Sequence, residues 1–246
     1  MRVAIIGSGR LGRAVHSALS VRGISAQFHS HSTGFDVLRP DATPSLGQVG
    51  VVVEATDVFT QDPDVAKDFF VCSTRAVSAA ARTAGASKHI LVSIVNCEKP
   101  ALHGNGYYAG KAEQERVARA ENANLTIVRS TLWHEFARQN LERLKFGPFA
   151  IVPAMTVQPV ALASVADVVA DCVVGDRNGS EYEVAGPEVT TLWRMTTALL
   201  NKKAVPVPVR APGTAGRAFR DGTLLPAYEV EVIGPRFADW LATQEN

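Results

Sequence analysis

Apolar positions follow two rhythms along the chain. Runs in which nearly every residue is apolar occupy residues 3–6, 49–55 and 89–95, and the last two read as strands buried on both faces. Residues 24–29 and 125–129 read as further strands. Between the strands lie stretches at about 11–22, 64–84, 107–121 and 133–144 whose apolar residues recur at helical spacing. In the 64–84 stretch, Val65, Phe69, Cys72, Ala76 and Ala79 or Ala80 share one side. Gly23 and Gly85 mark helix ends. Residues 35–37 read as a short strand or turn, and 40–47 as a loop or a poorly marked helix. Strands alternating with helices of this length predict a right-handed, doubly wound parallel α/β sheet.

Beyond residue 145 the rhythm changes. Residues 146–153 and 156–159 are short extended pieces broken by proline. Residues 164–174 read as a helix, with Ser164 as its N-cap and Asp167 near its third position. Residues 181–185 alternate like a strand, Thr190 or Thr191 starts a helix that runs to Leu200, and 237–241 is a short terminal helix. Residues 202–226, rich in proline, glycine and arginine, read as a mobile cover. The expected organisation is a single domain over 1–246, with a core to about 145 and a small C-terminal substrate lobe and cover over 146–246.

Composition narrows the class. Hydrophobic content of 46% with 20% charged residues is ordinary for a globular protein, and the net charge is +1 with no basic run. Nucleic acid and acidic membranes are therefore not expected partners. The apolar N-terminal run is too short for a signal peptide, and no stretch approaches the roughly 20 apolar residues of a membrane helix. Cys72, Cys97 and Cys172 are scattered, so neither a disulfide framework nor a metal site is expected. A cytoplasmic location follows as the expectation.

The first strand breaks into Gly7-Ser8-Gly9-Arg10-Leu11-Gly12 before the first helix, a G-x-G-x-x-G turn. Gly7 allows the sharp turn, Gly9 has no Cβ to block a pyrophosphate, and Gly12 lets the helix pack closely on the strand. The helix N-terminus then offers unpaired N–H groups and the positive end of its dipole to phosphates. This is the spacing of a dinucleotide-binding turn.

Ser93 stands near the carboxyl end of its strand, where open α/β sheets bind ligands. Tyr107 and Lys111 are four apart at the start of the next helix, so one face presents both. A phenol with a pKa of about 10 becomes a useful proton carrier when a neighbouring cation favours its phenolate. Tyr107, Lys111 and Ser93 are thus the candidate catalytic residues, with the serine hydroxyl holding a substrate carbonyl. Trp133, His134 and Phe136 follow a strand end and are candidates for a substrate pocket, while Glu135 suits a helix N-terminus. No further ligand stands near His134 and Glu135 at metal spacing.

The set G-S-G-R-L-G, V-S-I-V-N, Y-Y-A-G-K-A-E-Q-E, T-I-V-R-S-T-L-W-H-E-F and Y-E-V-A-G-P-E-V-T-T-L resembles the atypical short-chain dehydrogenase/reductases, in particular the NmrA-like NAD(P)-binding group. The likeness runs from Met1 to about Leu200. It implies a Rossmann core holding NAD(P)(H) at the glycine turn, with Ser93, Tyr107 and Lys111 in catalytic positions. It also implies Asp36 as a partner of the adenine amino group and Ala55, Thr56 and Asp57 as the loop beneath the cofactor. The turn is one residue shorter than the usual G-x-x-G-x-x-G, and Ser130 replaces a proline common after the arginine at 129.

An NAD-binding chain typically ends its second strand on a carboxylate that bonds the ribose 2′-OH. Here His29, Ser30, His31 and Ser32 stand there instead. Arg10, with the serines and a histidine N–H, suits a 2′-phosphate, so NADP(H) is favoured over NAD(H). The expected activity is NADP(H)-dependent reduction of a carbonyl or activated double bond of a small molecule. The rivals are a non-catalytic redox sensor and an epimerase- or dehydratase-type enzyme that recycles its cofactor. An oligomer is compatible with all three.

Overall fold

The computed structural model describes residues 1–39, 45–200, 202–227 and 229–244. In chain order the elements are β1 (Arg2–Ile6), α1 (Arg10–Val21), β2 (Ser25–His29), β3 (Val51–Glu54), α2 (Pro63–Thr83), β4 (Lys88–Ile94), α3 (Gly106–Glu121) and β5 (Leu125–Ser130). There follow α4 (Phe136–Arg143), β6 (Lys145–Phe146), β7 (Phe149–Pro153), β8 (Thr156–Val157), α5 (Leu162–Val174) and β9 (Glu181–Ala185). The chain closes with β10 (Thr190–Thr191), α6 (Leu192–Ala198), β11 (Val205–Val209), α7 (Gly213–Arg220), β12 (Glu231–Val232) and α8 (Phe237–Gln244).

The predicted parallel α/β sheet is present, with seven strands in the order β12-β9-β5-β4-β3-β1-β2. Strand β1 lies between β2 and β3, pairing Ile6 with His29 on one side and with Glu54 on the other, both in parallel. Successive strands thus leave β1 in opposite directions, which opens a crevice at the carboxyl ends of β1 and β3. Residues 3–6 of β1 and all of β3 are buried, as their near-continuous apolar runs require. Each fully buried Ile or Phe of this interior is worth about 1.5–3 kcal/mol of transfer free energy.

Two compact units emerge along the chain. One comprises residues 1–93, 105–129 and 165–182, the other 94–104, 130–164 and 183–246. In the first, helices α2 and α3 pack closely because Gly110 faces the Phe70 ring with no room for a Cβ. Helix α2 starts at Pro63 after Asp62, whose carboxylate accepts from the Asp64 and Val65 N–H groups at 2.9 and 3.3 Å. In the second unit, β7 pairs with β6 antiparallel and with β11 in parallel, while β8 pairs with β10 antiparallel.

Several expectations need correction. The buried side of α2 carries Ala66, Phe70, Ser73, Thr74, Ala76, Val77, Ser78 and Ala81, whereas Val65, Cys72 and Ala79 are exposed. Helix α5 begins at Leu162, so Ser164 lies inside its first turn instead of capping it. Within 202–226, residues Val205–Val209 form β11 and Gly213–Arg220 form α7. The helix expected at 133–144 starts only at Phe136. After Phe35 the chain turns, the Arg39 N–H donating to the Asp36 carbonyl at 3.0 Å, and most of the 40–47 segment lies outside the described residues.

Candidate functional site

The glycine turn is built as its spacing demands. Gly7 has φ +110°, and a Cβ there would stand 2.5 Å from the Ala55 carbonyl oxygen. Its N–H donates to the His29 carbonyl at 2.9 Å, tying the ends of β1 and β2 together. A Cβ on Gly12 would overlap the Gly7 carbonyl oxygen. Gly9 differs: it is the N-cap of α1, and a Cβ there meets nothing within 4 Å. Gly9 has no side chain to cap the helix and the first turn holds no acid, so the positive end of the helix dipole suits an anion. Arg10 is exposed at the first helical position beside Leu11, which is buried. Arg13, one turn on, donates from Nε to the Ser8 carbonyl at 2.9 Å and places a second cation at the turn.

The loop after β2 is a short 3₁₀ turn, His31–Thr33. The Ser30 N–H donates to Thr33 Oγ1 at 2.8 Å, and the Ser30 and Ser32 hydroxyls lie 2.9 Å apart. His29 turns inward: it is buried, its ring meets Phe35 edge-on at 5.7 Å, and Nε2 has no hydrogen-bond partner. Burial pushes its pKa below the ordinary value. Of the two histidines, only His31 is exposed toward solvent. Asp36 accepts from the Leu38 N–H at 2.9 Å and pairs with Arg39 at 3.8 Å. Ala55 lies under Gly7, Thr56 donates to Glu54 Oε1 at 3.3 Å, and Asp57 is exposed.

Ser93 is buried near the end of β4. Helix α3 starts at Gly106 because a side chain there would strike the Thr60 and Asp62 carbonyl oxygens. Asn105 caps it, accepting from the Tyr107 N–H at 3.1 Å. Tyr107 is half-buried, with Phe70 and Tyr108 edge-on at 6.4 and 6.0 Å. Lys111 is buried, and its Nζ donates to the carbonyl of Val92, the residue before Ser93, at 2.7 Å. A second partner of Nζ is Gln114 Oε1. Sequence reasoning missed Gln114 and the carboxylate behind it, Glu54. The one signal was a charged residue near the end of an otherwise apolar strand. Burial tends to raise the Glu54 pKa, but the hydrogen bond and electrostatic pull of His89, with hydrogen bonds from Thr74 and Gln114, outweigh it and hold the carboxyl below the usual carboxylate range.

The expected pocket residues belong to the second unit. Trp133 Nε1 donates to Ser130 Oγ at 2.9 Å, so the serine in the usual proline position orients the indole. Phe136 is half-buried, and Glu135 accepts from the Leu162 N–H at the start of α5. His134 is a correction. It is fully buried, with Nε2 3.1 Å from the Pro235 carbonyl and its ring against Phe237 and Trp240 at 5.4 and 5.3 Å. Burial pushes its pKa down. Among the described residues its ring packs on apolar rings and its one side-chain hydrogen bond is to backbone, the surroundings of a core histidine.

No protein-family model and no curated protein matches the chain. Solved structures do. Triphenylmethane reductase of Citrobacter sp. in complex with NADP(H) is 15% identical over 99% of both chains, with a TM-score of 0.64. A short-chain dehydrogenase/reductase superfamily protein of Agrobacterium tumefaciens with bound NAD is 18% identical over 100% of this chain and 97% of that one, TM-score 0.64. UDP-N-acetylglucosamine 4-epimerase of Bacillus cereus is 13% identical over 99% of this chain and 94% of that one, TM-score 0.65. At such identities the likeness establishes the fold, an α/β Rossmann fold.

Proposed function

We propose that the chain is an NAD(P)(H)-dependent oxidoreductase of short-chain dehydrogenase/reductase type, NmrA-like within it. It would reduce a carbonyl or activated double bond of a small organic substrate in the cytoplasm. The observation that carries the reading is the turn after β1, where Gly9 leaves open space before the N-terminus of the 12-residue helix α1. Residues 7–12 would hold the pyrophosphate there, with Ala55, Thr56 and Asp57 beneath the dinucleotide and Asp36 toward the adenine. The similar structures with NAD and with NADP(H) support the same use of this fold. NADP(H) is the favoured form, because the exposed Arg10 and His31 and the Ser30 and Ser32 hydroxyls suit a 2′-phosphate.

A nicotinamide cofactor held at this turn would supply the hydride. Tyr107 gives the proton, the Lys111 ammonium one turn away lowers the cost of the phenolate left behind, and the Ser93 hydroxyl orients the substrate oxygen. Trp133 and Phe136 would contribute apolar surface to substrate recognition.

Calorimetric titration with NADPH, NADP⁺, NADH and NAD⁺ tests the cofactor. Tightest binding is expected for the phosphorylated pair, and equal or tighter NADH binding overturns that preference. Tyr107→Phe is expected to abolish substrate-dependent NADPH oxidation over a carbonyl and enone panel while leaving cofactor affinity nearly unchanged. The likeness to a 4-epimerase favours a second reading, in which the cofactor is retained and recycled. A nucleotide that co-purifies and is not consumed would select it.

A further inference from the structure

Lys111 carries its charge into a dry place. Its side chain is buried, Nζ bonds the Val92 carbonyl and Gln114 Oε1, and the Phe70 ring centre lies 5.1 Å away. An ammonium taken out of water needs a compensating charge. Gln114, wholly buried, donates from Nε2 to Glu54 Oε1 at 2.8 Å and to Thr56 Oγ1 at 3.2 Å. An amide has one donor end and one acceptor end, so anchoring Nε2 on Glu54 turns Oε1 toward the lysine.

Glu54 is wholly buried and also accepts from Thr74 Oγ1 at 2.6 Å. Its other oxygen, Oε2, stands 3.0 Å from His89 Nε2, while His89 Nδ1 is buried with no partner. An N–H on Nε2 suits Glu54 Oε2, which leaves Oε1 as the carboxylate oxygen turned, through Gln114, toward Lys111.

We propose that Glu54, acting through the oriented amide of Gln114, is the buried counter-charge that holds Lys111 as an ordered ammonium one helical turn from Tyr107. Glu54 and Gln114 are positioning residues. Their importance to a reaction rests on the reading of Tyr107 and Lys111 given above, whereas the electrostatic pairing does not. Among the described residues, the titratable groups joined in this network are Glu54 of β3, His89 of β4 and Lys111 of α3, with Tyr107 one helical turn from Lys111; α2 contributes Thr74 and Phe70.

The test reads Lys111 itself, without cofactor. Protein carrying isotope-labelled lysine is titrated by NMR, and the Lys111 side-chain signal is identified by its loss in Lys111→Met. In Glu54→Gln the Lys111 midpoint is expected to fall by more than about one pH unit. Gln114→Met keeps both charges but cuts the path, and is expected to give a smaller fall in the same direction. Glu54→Asp should restore most of the midpoint. An unchanged midpoint in folded Glu54→Gln overturns the proposal. If Glu54→Gln does not fold, adding Lys111→Met decides: recovery of the fold supports the pairing, and continued failure refutes it. Absence of turnover in the wild type would count against the oxidoreductase reading alone.

Discussion

At the scale of single residues, one methyl group separates the roles of Gly9 and Gly12. Gly9 has an ordinary φ of −70° and open space before it, so Gly9→Ala should cost no more than about 1 kcal/mol in urea unfolding. The same methyl stands where a pyrophosphate would lie, and NADPH affinity should fall about tenfold or more by calorimetry. Gly12→Ala reverses the balance: its methyl overlaps the Gly7 carbonyl, with an expected loss of about 1–3 kcal/mol in stability. His134 makes a pH prediction. Burial lowers its folded-state pKa beneath the ordinary value of 6.5. Below that value the unfolded chain binds the extra proton, so stability falls as pH drops. His134→Gln should start from a lower Tm yet lose less of it between about pH 7 and pH 5. His29 shifts in the same direction and leaves part of the slope in place. Glu54 is depressed instead, so its contribution holds above about pH 4.5 and is lost only as pH falls through its lower folded-state value. A slope in the His134 variant equal to wild type would rule this account out.

At the scale of elements, α3 is the piece on which the candidate chemistry depends. Its N-terminus is capped by Asn105, Lys111 and Gln114 reach β4 and β3, and Glu115 grips Arg129 of β5 through bonds of 2.8 and 2.5 Å. Both partners of that ion pair are buried, with side chains 11% and 8% exposed. Glu115→Ala would leave the guanidinium short of its main partner, with Glu181 at 2.8 Å as a lesser one. The expected loss is about 1–3 kcal/mol, measured by chemical unfolding. A loss below about 1 kcal/mol would mean that the pair behaves like a surface bridge. The sequence places α3 to within a residue, with Tyr107 and Lys111 four apart near its start. The face of α2 was misjudged for a physical reason. Ser73, Thr74 and Ser78 are small, and each finds a hydrogen-bond partner, in Phe70, Glu54 and Asn122 respectively. They can therefore lie buried on α2, while the larger Val65 is left outside. Hydrophobicity alone ranks these positions the wrong way round.

At the scale of the whole molecule, among the described residues no helix is long and apolar enough to cross a membrane, and the stability curve should respond to the cofactor as a single ligand-linked equilibrium. NADPH at a hundredfold its Kd should add about 2.7 kcal/mol, visible as a rise in Tm, with a smaller rise from NADH at equal concentration. No rise with any nicotinamide nucleotide would sink the proposed function. By itself the sequence determined the parallel α/β sheet, the strand-turn-helix at Gly7–Gly12 and the start of α3. These depend on local rules: apolar run length, the space and φ that glycine permits, and the helical period. Only the tertiary structure decided which polar groups share the interior. Glu54, Thr74, His89, Lys111 and Gln114 come from β3, α2, β4 and α3, and no local pattern joins them. It also turned His134 and His29 inward, since a ring's exposure depends on what packs over it. The turn at residues 7–12 is legible because its chemistry is backbone chemistry, whereas the environment of Lys111 is set by side chains far apart in the chain and close in space.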